Sequence, residues 1–455
     1  MFRLPSTQEM TIEILDYFLG KHKQEITSRY EPLYRAYTSD HDILYQKAKA
    51  PYKPDNRIVS NFAKYIVDTM NGFFLGNPIK VTADDEAVSQ RVEFIDQYND
   101  QDDNNAELSK LCSIFGKGFE MYYRDEESEL CITYLSPLEA FMIYDDSIVE
   151  RPLYFVRVYK DWQGNEKGSI SNKYGVRHFQ ITGGTKFLDE DWDCHYFDGV
   201  PATEYVENDE RQSIFEPVLT MINAYNKAIS EKANDVDYFA DAYMKVLGAK
   251  VDGEDVQFMR DNRIVNFFAD GEDASKVIAE FMSKPSADGT QENLLERLER
   301  LIFAISMVAN ISDENFGSAT GVALKYKLQA MSNLAKTKER KFTSGMNRRY
   351  KILFSSPLAK VPKDAWVQLH YKFTPNIPAN RLEEAQEAAQ LEGIVSHETQ
   401  LKVLSIVDDI QGELDKIEEE NKPDEETIVD RMMFAPVGNN LTPTEPEEVV
   451  TDEQP

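Results

Sequence analysis

In its first eighty residues the chain repeats apolar positions at steps of three and four, the pattern of helices that bury one face. Ile12, Leu15 and Leu19 open the first such stripe, and Ser6 and Glu9 stand before it at capping-box spacing. A tyrosine-rich stretch continues to about Tyr45, with an interruption expected at Pro32. After the loop "KAPYKPDN", Ile58, Phe62, Ile66, Met70 and Phe73 fall on one face of a helix, and Gly76-Asn77-Pro78 ends it.

The period then changes. "FEMYYRDEESELCITYL" is two apolar, aromatic runs around a polar turn and reads as a hairpin; "RPLYFVRVYKDWQGNEKGSISNKYGVRHFQITGG" continues as a meander. Residues 79–210 therefore read as an α+β domain. From Ser213 to Lys245 the helical period returns through Phe215, Leu219, Ile222, Tyr225, Ile229, Ala233 and Val236. At about 1.5 Å per residue this predicts a rod of about 48 Å. A small mixed module follows to Gly289. A second helix runs from Gln291 to Val308, with Leu294, Leu298, Leu301, Ile305 and Val308 on one face. Helix, compact insert and returning helix predict a stalk with a module at its tip.

"NISDENFGSATG" breaks the pattern, and residues 320–353 are helical again. "WVQLHYKF" reads as a strand returning to the earlier domain. Pro375 and Pro378 mark a boundary, and a final pair of helices is expected over 379–421. The predicted fold class is α+β and mainly helical.

Composition adds constraints. With 455 residues, 42% of them hydrophobic, the chain can bury more than one core. A net charge of −30 repels nucleic acid at long range. It excludes tight wrapping of nucleic acid by the whole surface. Between Asp408 and Glu453 stand 16 acidic and 3 basic residues, so 13 net negative charges lie there, and disorder is expected from Asn421 onward. Cys112, Cys131 and Cys194 are few and widely spaced, which suits a reducing compartment and argues against a disulfide framework or a zinc site. The first residues lack the basic-then-apolar order of a secretory signal, and no apolar run is long enough for a membrane span.

Catalytic chemistry finds little support. Asp191, Asp193, Cys194 and His195 are close in sequence but fit no zinc spacing. His178 sits in a predicted strand and reads as structural; Asp145-Asp146 reads as a turn rather than a nuclease pair. No GxxxxGK[ST] occurs, and "GSATG" is followed by no lysine, so a P-loop ATPase is disfavoured. The chain is expected to be no enzyme and to need no metal or cofactor.

Two segments stand out. In the break, Gly317 and Gly321 give backbone freedom, and Ser318 or Thr320 offers a cap for the next helix. Pattern alone reads it as an ordinary loop between helices. The helix after it is basic in an acidic protein, with Lys325, Lys327, Lys336, Lys338, Arg340, Lys341, Arg348, Arg349 and Lys351 against Glu339. These cations either touch phosphates transiently or pair with carboxylates of a neighbouring subunit.

Three strings carry a family likeness: "YQKAKAPYKPDNRIVSNFAKYIVDTMNGFFLGNPIKV" (45–81), "NAYNKAISEKANDVDYFADAYMKVLGAK" (223–250) and "NISDENFGSATGVALKYKLQAMSNLAKTKERKFTSGM" (310–346). They resemble the N-terminal signature, first stem helix, and tunnel loop with its following helix in portal proteins of long-tailed phages of Gram-positive hosts. The likeness spans about residues 10–420. It implies a portal fold assembled as a dodecameric ring at one capsid vertex. The wing would be 1–212 with the returning strand, the stem 213–247 and 290–309, and the clip 248–289. The tunnel loop would be 310–321, the basic helix and returning strand 322–378, the crown 379–421, and the acidic tail 422–455.

The implied role is passage of double-stranded DNA in packaging and ejection. The implied partners are terminase, scaffolding protein, major capsid protein and head-completion protein, with no membrane and no nucleotide site. Localisation would be the virion, with the host cytoplasm during assembly. Asp313, Asn315, Phe316, Gly317 and Ser318 would then face the channel. Lys325 and Lys327 are the candidates for phosphate contact. Lys336, Lys338, Arg340, Lys341, Arg348 and Arg349 are assigned to subunit interfaces or salt bridges. Contacts to DNA must be weak and free of base readout, since a fixed register would stall translocation. A solid capsid or scaffolding protein without a channel is the alternative. A metal-dependent nuclease, lost on changing Asp145 or Asp191, is a third reading.

Overall fold

In the computed structural model, residues 1–50, 53–240, 244–247, 278–281, 288–311, 326–377, 381–404, 406–407 and 410–420 are described. Two units separate, residues 1–377 and 378–455.

The first unit begins with β1 (Phe2–Arg3), then α1 (Ile12–Glu25). The cap of α1 is Thr11, whose hydroxyl accepts from Ile14 N, and not the predicted Ser6. The residues between β1 and Thr11 are used in leaving a sheet edge, where β1 pairs in parallel with a later strand. Pro32 does not interrupt the next helix. A π-helical turn (Ile26–Tyr30) leads directly into α2 (Glu31–Tyr37), so the hydrogen-bond pattern shifts just before the proline, which has no N–H to give, while the helical run continues.

The predicted amphipathic helix is α3 (Phe62–Leu75), capped by the Asn61 side chain on Lys64 N; Ile58, expected on its buried stripe, instead precedes the cap and is exposed. Ile66, Met70 and Phe73 are buried as the period requires. After β2 (Lys80–Ala83) come α4 (Glu86–Tyr98) and α5 (Gln101–Phe115). Gly116 ends α5 at φ 84°, and a Cβ there would stand 1.9 Å from the Arg211 carbonyl oxygen, so only glycine fits the crossing.

The predicted hairpin is β3 (Lys117–Arg124) with β4 (Leu130–Leu135), and β11 (Ala202–Val206) adds on the other side of β3. The predicted meander is β6 (Pro152–Lys160), β7 (Glu166–Ser171) and β8 (Gly175–Gln180). It extends through β5 (Ala140–Tyr144) to β1 on one side. On the other side it reaches β9 (Lys186–Phe187) and β10 (Asp193–Cys194), making seven strands in all. One face of this sheet buries Phe2, Phe141, Val156, Ile170 and Phe179 against Leu15 and Phe18 of α1. Phe119, Met142, Phe155 and Val200 fill the space where the two sheets meet.

The stalk helices differ from their predicted bounds. α6 (Leu219–Ala240) starts after a 3₁₀ turn at Glu216–Val218, because Pro217 cannot donate within a continuing helix. Met244 and Lys245, expected at the helix end, lie in β12 (Met244–Leu247), which pairs antiparallel with β13 (Ile278–Phe281). The returning helix α7 is Asp288–Ser306, and the long basic helix α8 is Gln329–Leu353, with Tyr326 and Lys327 also helical before it. The predicted returning strand is β14 (Leu369–Lys372), which pairs antiparallel with β2. The largest core gathers α2 to α8, with Ile66, Met70, Phe115, Phe215, Ile222, Ile302, Phe342 and Tyr350 among its buried residues.

In the second unit, α9 (Arg381–Gln390), α10 (His397–Leu401) and α11 (Ile410–Glu420) follow one another. Ser396 caps α10, and the Gln400 amide donates to the Ala388 carbonyl at 2.8 Å.

Candidate functional site

Residues chosen as channel candidates lie on the segment joining α7 to α8. Asp313, Asn315, Phe316, Gly317, Ser318, Thr320 and Lys325 fall outside the described residues. The structure does describe both anchors of that segment and the helices that carry them.

α6 and α7 pack antiparallel. Lys232 pairs with Glu292, and the Gln291 amide donates to Asp235 at 3.0 Å, so the start of α7 lies beside the end of α6. Along α6, Asn226, Ser230 and Asn234 are buried at four-residue steps. They accept from the backbone N–H groups of Ser60 (2.8 Å), Ile58 (2.9 Å) and Asn56 (2.6 Å) in turn. Four helical residues rise about 6.0 Å, and two extended residues span about 6.6 Å. The two periods nearly match, so a helix can satisfy every second donor of an extended strap. That strap runs into α3. Phe62 then meets Tyr225 of α6 and Phe303 of α7 edge-on, at 4.9 and 5.7 Å between ring centres.

The far end of α7 is closed with care. Met307 sits at φ 59°, in the left-handed region, and Val308 is buried. The Asn310 amide donates back to Glu299 at 3.2 Å. Ile311 N donates to the Tyr65 hydroxyl at 2.8 Å.

On the other side of the segment, α8 carries the basic candidates. Lys327, Lys336 and Arg340 are exposed. Arg340 donates to Thr337 within the helix. Lys341 pairs with Asp209, and the Arg348 guanidinium donates to the carbonyls of Ala202 and Val200.

Lys338 and Arg349 are fully buried. Lys338 Nζ reaches Glu207 (2.7 Å), Ser113 Oγ (2.5 Å) and the Ser109 carbonyl (3.0 Å). Arg349 bonds Glu120 at 2.5 and 2.9 Å and Asn105 at 2.6 Å. Burial opposes the Arg349 charge, but Glu120 and its hydrogen bonds outweigh that and hold its pKa well above the usual value. Of the cations assigned to subunit interfaces or salt bridges, Lys338, Lys341 and Arg349 make salt bridges, and their carboxylates belong to the same chain.

Next to this network, Tyr350 donates to Asp96 at 2.9 Å. Burial pushes the Asp96 carboxyl up to about 6, against the pull of Arg349 and the Tyr350 hydroxyl. Glu120, Glu207 and Asp96 carried no signal of their own in the sequence. Lys338 and Arg349 did, because they fall in phase with Met331, Ala335, Phe342 and Met346 on the buried face of α8.

The catalytic candidates do not converge. Asp145 accepts from Ser147 and from Arg151 N, which closes a turn. His178 pairs with Asp189. Both ring nitrogens of His195 are bonded to backbone, at Asn172 O and Phe197 N. Asp193 and Cys194 form β10, and Cys194 is exposed. Among the described residues no three His, Cys, Asp or Glu side chains are grouped to hold a metal, and no helix is long and apolar enough to cross a membrane.

Comparison with known proteins bears on this geometry. The family described as phage portal protein, SPP1 Gp6-like, matches residues 16–427. The portal protein of Bacillus phage SPP1 is 24% identical over 410 residues, covering 84% of this chain and 79% of that one. The portal protein of Clostridium phage phiCD119 is 24% identical over 398 residues, covering 81% of this chain and 85% of that one.

Proposed function

The chain belongs to the SPP1 Gp6-like family of phage portal proteins, a structural family of the virion capsid, and from that premise we propose that it is one subunit of a dodecameric ring at a single capsid vertex. The ring surrounds a channel through which double-stranded DNA enters during packaging and leaves on ejection. Residues 1–212 and β14 form the wing, 213–247 and 290–309 the stem, 248–289 the clip, and 379–421 the crown. The segment 310–321 faces the duplex. Terminase docks on the ring during packaging and head-completion protein afterwards; scaffolding and major capsid proteins surround it during assembly.

The observation that carries this reading is the family match over residues 16–427, which takes in the antiparallel α6–α7 pair, the strands β12 and β13 between them, and α8. The charge distribution supports it. Lys338 and Arg349 are neutralised internally, and Lys336 and Arg340 are exposed on α8 in a chain of net charge −30. Contacts from such cations to phosphate are salt-dependent and blind to sequence, as a sliding duplex needs.

Electron microscopy of the purified chain, averaged down the particle axis, is the test. Rings with a central hole wide enough for a duplex are expected. Closed oligomers without a hole overturn the conduit.

A further inference from the structure

The end of α7 is restrained beyond what stopping a helix requires. A residue in the left-handed region followed by a buried apolar side chain is already a sufficient stop, and Met307 with Val308 supplies it. For a residue with a side chain, that backbone conformation is unfavourable and persists only where its surroundings fix it. Two further bonds follow within three residues. The Asn310 side chain returns to Glu299, about two turns back from the end of α7, and Ile311 N reaches across to the hydroxyl of Tyr65 on α3. Tyr65 packs edge-on against Phe303 at 5.5 Å, which a phenylalanine would do equally well. Its hydroxyl is thus unnecessary for packing and is spent on Ile311 N. Residues 307–311 are held to α7 by one bond and to α3 by the other. α3 is itself continuous with the strap that α6 holds through Asn226, Ser230 and Asn234.

We propose that Tyr65 and Glu299 are positioning residues that fix the point and direction at which the chain departs toward residue 312. The role rests on the conduit reading. In a ring that passes DNA, this departure point sets where the following segment stands relative to the duplex, and it does so from the stem pair through α3. Neither residue touches DNA.

The test uses the full-length chain in assembled rings and in capsids, with Tyr65→Phe, Glu299→Ala and Glu299→Gln. Glutamine keeps an oxygen that accepts from Asn310; alanine does not. Hydrogen exchange of residues 307–311 reads the clamp directly. Loss of one such bond is expected to speed exchange of the Ile311 amide about fivefold in Tyr65→Phe. Ring yield and melting stay unchanged, and DNA filling of capsids falls severalfold. Glu299→Ala loosens the same residues, and Glu299→Gln restores them.

Unchanged exchange in both Tyr65→Phe and Glu299→Ala overturns the clamp. Faster exchange with normal DNA filling overturns the positioning role. A failure of the conduit reading looks different: the unsubstituted chain then forms particles without a hole, while the exchange result still decides whether the clamp exists.

Discussion

At the scale of single residues, the most consequential side chains are cations that look misplaced. Lys338 and Arg349 occupy core positions of α8, and each is tolerated because a carboxylate and neutral acceptors surround it. Removing one partner of such a pair leaves the other charge buried and costs about 3–5 kcal/mol, whereas replacing both by apolar groups is often neutral. Lys338→Met is accordingly expected to destabilise the chain by that amount, and Lys338→Met with Glu207→Leu to recover most of it, as read from denaturant midpoints.

Asp96 supplies a pH dependence of opposite character to an ordinary carboxylate pair. Its folded pKa, about 6, lies above the free value of 3.8, so the folded chain binds the proton more tightly. Stability from this group is greatest at low pH and falls as pH rises from about 4 to 6, where the charge must be accommodated. The side chain keeps some solvent contact, which limits the effect to about 1–2 kcal/mol. Asp96→Asn retains an acceptor for Tyr350 and should flatten the change in melting temperature between pH 4 and 6. An unchanged slope would mean that another group titrates there.

At the scale of elements, much of the fold was legible because periodicity reports one buried face at a time. The α3 stripe, the β3–β4 hairpin, the meander and the return of β14 all follow from local pattern and turn chemistry. Periodicity misled where two faces compete. The predicted stripe of the returning helix was Leu294, Leu298, Leu301, Ile305 and Val308; Val308 is buried, but Leu294 and Ile305 are exposed, and Leu295 and Ile302 are buried instead. Likewise the cations of α8 read as contacts to phosphate or to a neighbouring subunit, because the carboxylates that neutralise Lys338 and Arg349 stand more than a hundred residues away.

The strap on α6 was invisible for a related reason. Asn226, Ser230 and Asn234 are unremarkable in a helix until an extended segment with matching rise is laid beside them. Each accepts from one backbone donor of the strap. Ser230→Ala leaves Ile58 N without its acceptor and should cost about 1–3 kcal/mol. Faster hydrogen exchange confined to residues 56–60 would locate the loss in the strap; an effect spread over all of α6 would assign Ser230 to helix packing instead.

For the whole molecule, charge is the property that assembly must overcome. Subunits of net charge −30 repel one another in the proposed ring, and part of that charge sits in a separable place. Residues 422–455 hold nine carboxylates and two cations, a net of −7, so a chain ending at Asn421 carries −23. Repulsion between exposed charges decays over about 30 Å at 0.01 M salt but only about 8 Å at physiological ionic strength. Truncation should therefore favour rings strongly at low salt and hardly at all near 0.15 M, measured as the ring fraction by sedimentation across a salt series. The full-length chain should approach the truncated one as salt rises, because screening and truncation remove the same repulsion. Equal ring fractions at every salt concentration would mean that these charges lie too far from neighbouring subunits to be felt. A truncated chain that forms fewer rings would show that the tail contributes attractive contacts.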